Sequence, residues 1–352
     1  MSDAASVDSG YSGPVRLLAL DGGGIRGLSG LVILREIMKR IEAERGLGTT
    51  PRPCDYFDMI GGSGTGGLLA IMLGRLGMSV DEAIGAYVEF AKTVFSDRKW
   101  FFKNETFKAT VLERVIKKII RDKEEDPEAR MKTDKPTTNC KTFVCAMSAV
   151  NLAAPRIFRS YDVKENQTYN CKIWEAARAT SAASSFFKSI DIGQEGLKER
   201  FIDGGLRCNN PVQQVRDEAH LVYGKGCEVA CIVSIGAGHP NVIALRKPSA
   251  FQRILPTGLI KVLEGIAADC ESIAEGFEKE YTDKKPRVYF RLNVQQGLQN
   301  VSLAEWDKLS EVKTHTLQYT AETKVGKHID HLKELLTAGA LLESVTRDDE
   351  LI

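Results

Sequence analysis

Three short glycine runs, each placed directly after an apolar stretch, constrain this 352-residue chain more than any other feature. Asp21-Gly22-Gly23-Gly24-Ile25-Arg26-Gly27 follows Val15-Arg16-Leu17-Leu18-Ala19-Leu20. Gly61-Gly62-Ser63-Gly64-Thr65-Gly66-Gly67 follows Tyr56-Phe57-Asp58-Met59-Ile60, and Asp203-Gly204-Gly205 follows Phe201-Ile202. An apolar strand that breaks at glycine and gives way to a helix is half of a βαβ unit, and sheets built from such units bind ligands outside the carboxyl ends of their strands.

The remaining pattern extends that reading. Leu31, Leu34, Ile37, Met38 and Ile41 recur at helical spacing over residues 28–45. Helix is expected to resume at Leu68–Leu73, and again over 81–95, where Ser79 caps with Glu82 three positions on. Residues 142–150, 156–161, 228–235 and 287–292 read as strands. Residues 174–180, 258–280, 303–322 and 326–343 read as helices, and the charged, proline-containing stretch 121–136 as a solvated loop. The expected fold is α/β, a central mostly parallel sheet sandwiched by helices in three layers. One domain over 14–350 is expected, with a helical extension from about residue 257, preceded by a disordered Ser/Gly-rich tail at 1–13.

Composition narrows the partners. With 48 basic against 47 acidic residues, the chain lacks the basic excess that a phosphate backbone selects, so nucleic acid is not an expected partner. No apolar run reaches the ~18 residues of a membrane-spanning helix. The start, Met1-Ser2-Asp3-Ala4-Ala5-Ser6, lacks the basic and apolar parts of a secretory signal, so a cytoplasmic location is expected. The eight cysteines form no CxxC pair and several lie in apolar runs, which points to buried thiols; no metal site or cofactor is expected.

The first cluster offers the N–H groups of Gly22, Gly23 and Gly24 at a helix start, a setting for an anion or a developing oxyanion, with Arg26 as an added cation. The second has the layout of a nucleophile elbow. Gly22, Gly24 and Gly27 also satisfy GxGxxG, as do Gly62, Gly64 and Gly67. Neither is followed by a strand-end acid about 20 residues on, as a dinucleotide site requires.

Together the three clusters, with Asn209-Asn210-Pro211, Ala177-Arg178-Ala179-Thr180-Ser181-Ala182-Ala183 and Val233-Ser234-Ile235-Gly236-Ala237-Gly238, resemble the patatin-like phospholipase family over residues 14–240. The resemblance implies a lipid acyl hydrolase with a Ser–Asp dyad and no histidine. Carried over, Asp203 is the dyad acid, and Gly22, Gly23, Gly24 and Arg26 form or support the oxyanion hole. The five histidines (His220, His239, His315, His328 and His331) lie outside the clusters. The family elbow, however, is Gly-x-Ser-x-Gly, and here it is Gly62-Ser63-Gly64-Thr65-Gly66, with glycine at the nucleophile position. Ser63 is one residue out of frame, which turns its side chain away from the elbow tip; its expected role is a turn hydroxyl. The implied activity is therefore impaired or absent. The alternatives are a silent lipid-binding or regulatory module and, more remotely, a nucleotide-binding protein. Trp100-Phe101-Phe102, flanked by Lys99 and Lys103, is a candidate contact with a membrane interface, and Phe186-Phe187 a candidate core pair or acyl-pocket wall.

Overall fold

The computed structural model describes residues 13–96, 107–165, 167–183, 186–238, 257–284 and 286–348. Residues 1–12 of the expected tail and the Trp100 cluster lie outside them. The strands are β1 (Val15–Leu20), β2 (Met59–Ser63), β3 (Lys141–Ser148), β4 (Pro155–Arg159), β5 (Ile190–Ile192), β6 (Glu199–Asp203), β7 (Val229–Ile235) and β8 (Tyr289–Leu292). The helices are α1 (Gly27–Arg45), α2 (Thr65–Ala70), α3 (Val80–Ser96), α4 (Ala109–Glu124), α5 (Ile173–Thr180), α6 (Gly205–Cys208), α7 (Val212–Tyr223), α8 (Thr257–Tyr281), α9 (Leu309–Thr320) and α10 (Thr323–Asp348).

All eight strands belong to one sheet. Its parallel part runs β3-β2-β1-β7-β8. Both faces are covered, which is why β1 is a continuous apolar run rather than an alternating one. Leu18 and Leu20 face a core built with α1 to α5, α9 and α10, whereas Val15, Leu17 and Ala19 face a second core with α7 and α8. Phe186 and Phe187 are core residues, packed on Phe107. At the β1–β2 seam, Asp58 accepts from the backbone N–H of Arg16 at 2.7 Å and from its guanidinium at 3.0 Å, fixing the register.

The sheet is mixed rather than uniformly parallel: β4, β5 and β6 are antiparallel to their partners. Their placement makes the site. A strand has two edges, and β4 occupies one edge of β3 along Phe143–Met147. On the other edge β2 ends with Ser63 opposite Cys145, and β6, running the opposite way, ends with Asp203 opposite Ala146. The two strands meet end to end on consecutive residues of β3, so the turns that follow Ser63 and Asp203 are forced together.

Two local expectations change. The second apolar run does not break at Gly61; the strand continues through Gly61 and Gly62 to Ser63. These glycines serve close approach: a β-carbon at 61 would lie 2.3 Å from the Phe143 ring, and one at 62 only 2.1 Å from the Gly66 carbonyl oxygen. The charged stretch from 121 is helical to Glu124, because α4 buries Val111, Leu112, Val115, Ile116 and Ile120 on one face and carries the charges on the other. The Ser79–Glu82 capping box is present, with N–H···O distances of 2.8 and 3.2 Å.

On the second face Arg159, fully buried, is held by Glu218 of α7, which also accepts from the Tyr161 hydroxyl at 2.7 Å. Replacing one member of such a pair strands the other charge without solvent. Glu218→Ala is expected to lower stability by about 3–5 kcal/mol, read as a lower urea midpoint at unchanged slope.

Candidate active site

At the junction of β2 and α2, Gly64 has φ +56° and ψ −126°. That backbone region is one L-residues rarely enter and an elbow imposes on its apex residue. The Gly64 N–H donates to the buried Thr180 Oγ1 at 2.9 Å, so the last residue of α5 holds the turn in place. A β-carbon at residue 64 would lie 3.6 Å from Asp203 Oδ1, 3.5 Å from the Gly22 Cα and 4.0 Å from the Thr180 carbonyl oxygen, all ordinary contacts. The flanking positions are different. At 62 the Gly66 carbonyl stands 2.1 Å away, and at 66 the Leu20 carbonyl stands at the same 2.1 Å. The turn has closed the space beside its neighbours with backbone and left the apex open toward a carboxylate.

Ser63 does not fill that opening. It is fully buried in β2, and its Oγ has no hydrogen-bond partner among the described residues and lies 2.7 Å from where a β-carbon on Gly204 would be. It packs beneath the third cluster rather than at the apex.

Asp203 ends β6. Its Oδ1 accepts from the Gly205 N–H at 2.9 Å, and its own N–H donates to the Ala182 carbonyl at 3.0 Å. Burial pushes the carboxyl up to about 6, against the opposing pull of the Gly205 N–H. Among the described residues no histidine contacts it. His315 packs by Gly297, His328 approaches Arg287, and His331 lies on Phe290.

The first cluster crosses above the same point, and two of its three glycine N–H groups are already engaged. Gly22 donates to the Asn209 carbonyl at 3.1 Å and Gly23 to Thr65 Oγ1 at 3.0 Å. The Ile25 N–H donates to Leu303 O at 2.9 Å, leaving Gly24 (φ +55°) as the glycine of this turn whose N–H has no partner among the described residues. The carbonyl of Gly24 accepts from the Tyr87 hydroxyl. Arg26 has a buried Nε without a partner among the described residues, and burial lowers its guanidinium to about 10. These engagements also speak against a dinucleotide, since the amides that would cradle a pyrophosphate donate within the protein. Among the described residues no group of His, Cys, Asp and Glu is arranged to hold a metal ion.

Residues from far along the chain complete the frame. Asn209 Nδ2 returns a bond to Gly22 O at 3.1 Å, so the first and third clusters hold each other reciprocally. Asp21 is paired with Arg291 of β8 at 2.7 Å, and Arg291 also reaches Ser234 of β7 at 2.9 Å and Glu271 of α8 at 3.2 Å. Burial raises the Asp21 carboxyl to about 6 although Arg291 pulls it down. Thr180, Asn209 and Arg291 stand in segments that the sequence singled out, without a role; nothing local marks Tyr87.

A family model described as Patatin-like phospholipase matches residues 18–216. Human calcium-independent phospholipase A2-gamma is 27% identical over 338 residues, covering 88% of this chain and 39% of that protein. The 85/88 kDa calcium-independent phospholipase A2 of Mus musculus is 26% identical, covering 91% of this chain and 40% of its own length. The probable inactive patatin-like protein 9 of Arabidopsis thaliana is 26% identical over 240 residues, 63% of this chain and 60% of that one. The chain thus spans less than two thirds of each of these relatives. Among solved structures, VipD from Legionella pneumophila superposes with a TM-score of 0.39 at 12% identity, covering 88% of this chain and 67% of that one.

Because the Asp203 carboxyl is raised from 3.8 to about 6, the folded protein holds this proton more tightly than the unfolded chain does. Stability therefore falls as pH rises through that window. Asp203→Asn is expected to gain on the parent between pH 4 and 6, by at most about 3 kcal/mol. Urea midpoints taken at intervals across that range check it; Asp21 leaves the variant a residual slope of the same sign.

Proposed function

On the premise that this chain belongs to the patatin-like phospholipase family, as its matched residues 18–216 establish, we propose that it is a lipid acyl hydrolase scaffold that retains the acid and the oxyanion turn but not the nucleophile. The observation that carries this reading is the open apex. A side chain fits at residue 64 and is aimed at Asp203, while positions 62 and 66 are closed by backbone. A turn with no past or present need for a side chain would have no reason to keep that geometry.

In this reading Asp203 is the base. With its carboxyl near 6 it is mostly ionised at neutral pH and can accept a proton from a hydroxyl at residue 64. The Gly24 N–H, supported by Gly22, Gly23 and Arg26, stabilises the oxyanion that forms when an ester carbonyl is attacked. Gly62, Ser63, Thr65 and Gly66 shape the elbow. With Gly64 at the apex no acyl-enzyme can form. Removal of the nucleophile from a serine hydrolase costs about a millionfold in turnover and leaves about 10³–10⁴ of acceleration from the remaining groups. The chain as it stands is therefore a binder of lipid or fatty-acyl esters with at most residual hydrolysis. That one relative is itself named a probable inactive patatin-like protein fits this second, silent role. No described helix is long and apolar enough to cross a membrane. The eight cysteines, all free, suit a reducing, cytoplasmic setting.

Gly64→Ser is expected to hydrolyse a monomeric ester such as p-nitrophenyl butyrate at least about 10³-fold faster than the parent. Its rate should rise with pH through about 6 as Asp203 ionises, and Gly64→Ser combined with Asp203→Asn should fall back to the parent rate. A folded Gly64→Ser protein with parental activity would defeat the reading.

A further inference from the structure

The end-to-end meeting of β2 and β6 has a second consequence. Beyond the level of Ala146 and Asp203, β3 and β6 continue together as an antiparallel pair, past the carboxyl edge of the parallel strands. Past that level β6 runs four residues, Glu199–Ile202, a span of about 13 Å, and β3 runs two, Met147 and Ser148. The Ala149 N–H donates to the Arg200 carbonyl at 2.8 Å, so the two strands leave the sheet side by side. Each ends in a tight, internally bonded turn. In the β3–β4 turn, Ser148 Oγ accepts from Val150 and Asn151 N–H at 3.3 and 3.4 Å, and Asn151 Oδ1 accepts from Ala153 at 2.9 Å. In the β5–β6 turn, Leu197 N–H donates to Gln194 O at 2.9 Å, between Gly193 and Gly196, both at positive φ.

What these turns hold out is apolar. Val150 is 90% exposed, Leu197 79% and Leu152 46%, the two highest values among the large exposed hydrophobics and one beside them. Ala149-Val150-Asn151-Leu152-Ala153-Ala154 carries no charge, so removing it from water leaves no ion without solvent. The surrounding charge is balanced. Glu195 and Lys198, both exposed in the β5–β6 turn, offset each other, and beneath them Arg156 pairs with Glu199 at 3.2 Å and Arg200 with Asp191 at 2.8 Å.

We propose that the paired tips of the β3–β4 and β5–β6 turns, through Val150, Leu152 and Leu197, dock the protein on a zwitterionic lipid surface and so bring the Gly64–Asp203 apex to it. The proposal rests on the reading of that apex as a site for lipid esters. Three side chains on two convex turns offer too little area for a stable protein interface, which takes about 1,200 Å² or more. A fluid acyl phase, by contrast, closes around any shape. The balanced charge sets no field that would select an anionic surface. The tips also stand on the strands whose inner ends frame the site, so docking there points the site at the lipid.

The test is flotation with phosphatidylcholine vesicles. The parent should float, and Val150→Asp combined with Leu152→Asp and Leu197→Asp should bind at least about a hundredfold more weakly, since each buried aliphatic side chain contributes roughly tenfold or more. Leu221→Asp is the control: it is exposed on α7, which ends near the opposite edge of the sheet, where Tyr223 donates to Asp58 O. It should float like the parent. A parent that stays with the free protein, or a triple variant that floats like it, overturns the proposal. So does sedimentation showing that the same substitutions abolish self-association while vesicles are ignored, because the tips would then meet a second copy. Flotation needs no catalysis, so its failure is separate from failure of the site reading. In a Gly64→Ser background the tip substitutions should leave p-nitrophenyl butyrate hydrolysis unchanged and lower hydrolysis of vesicle lipid at least about tenfold; equal loss on both substrates would count against docking.

Discussion

One edge of β3 organises this protein. Cys145 receives the last residue of β2 and Ala146 the last residue of β6, from opposite directions. Neither strand can lengthen without displacing the other, so both chains must turn away there, one into α2 and one into α6. The apex of the first turn and the acid at the end of the second then face each other. The glycines follow from this crowding. A β-carbon on Gly62 or Gly66 would lie 2.1 Å from a backbone oxygen, and one on Gly204 would lie 2.3 Å from the Cys145 carbonyl oxygen. They let three backbones converge where side chains would hold them apart. Gly64 is the exception in the group, with room for a side chain and only its positive φ against one.

The surrounding polar groups serve to keep the convergence rigid. Thr180 takes the Gly64 N–H, Thr65 takes the Gly23 N–H, and Asn209 exchanges backbone and side-chain bonds with Gly22. Arg291 ties Asp21, at the foot of the first glycine turn, to β7 and α8. Most of these are bonds between segments distant in sequence, so the turns that meet at the site are held by one another rather than by their own local structure. That rigidity is independent of the nucleophile. On the proposed reading, a site without its nucleophile can therefore keep its shape.

The sequence made the strand-turn-helix units legible because their signals are local: β1 and β7 as apolar runs, α3 through Ser79 and Glu82, the three clusters through glycine itself. The end of β2 was not legible. Gly61 and Gly62 resemble a turn, and only the Phe143 ring and the Gly66 carbonyl explain why glycine is needed inside the strand. The antiparallel pairing of β4, β5 and β6 was also hidden, since a strand of three to five residues looks the same in either direction. Of the oxyanion turn, the glycines could be read but not which N–H groups remain available, because their acceptors, Asn209 and Thr65, come from other clusters. The juxtaposition of residue 64 and Asp203 depends on the register of β3 with two partners at once. Motif resemblance could suggest it; spacing along the chain could not.

A crystal structure of the Gly64→Ser protein should show an unshifted turn with the new hydroxyl within about 3 Å of an Asp203 carboxylate oxygen, at hydrogen-bond distance. A hydroxyl directed away from Asp203, or a turn refolded so that Ser63 occupies the apex, would contradict the placement of residue 64 opposite Asp203.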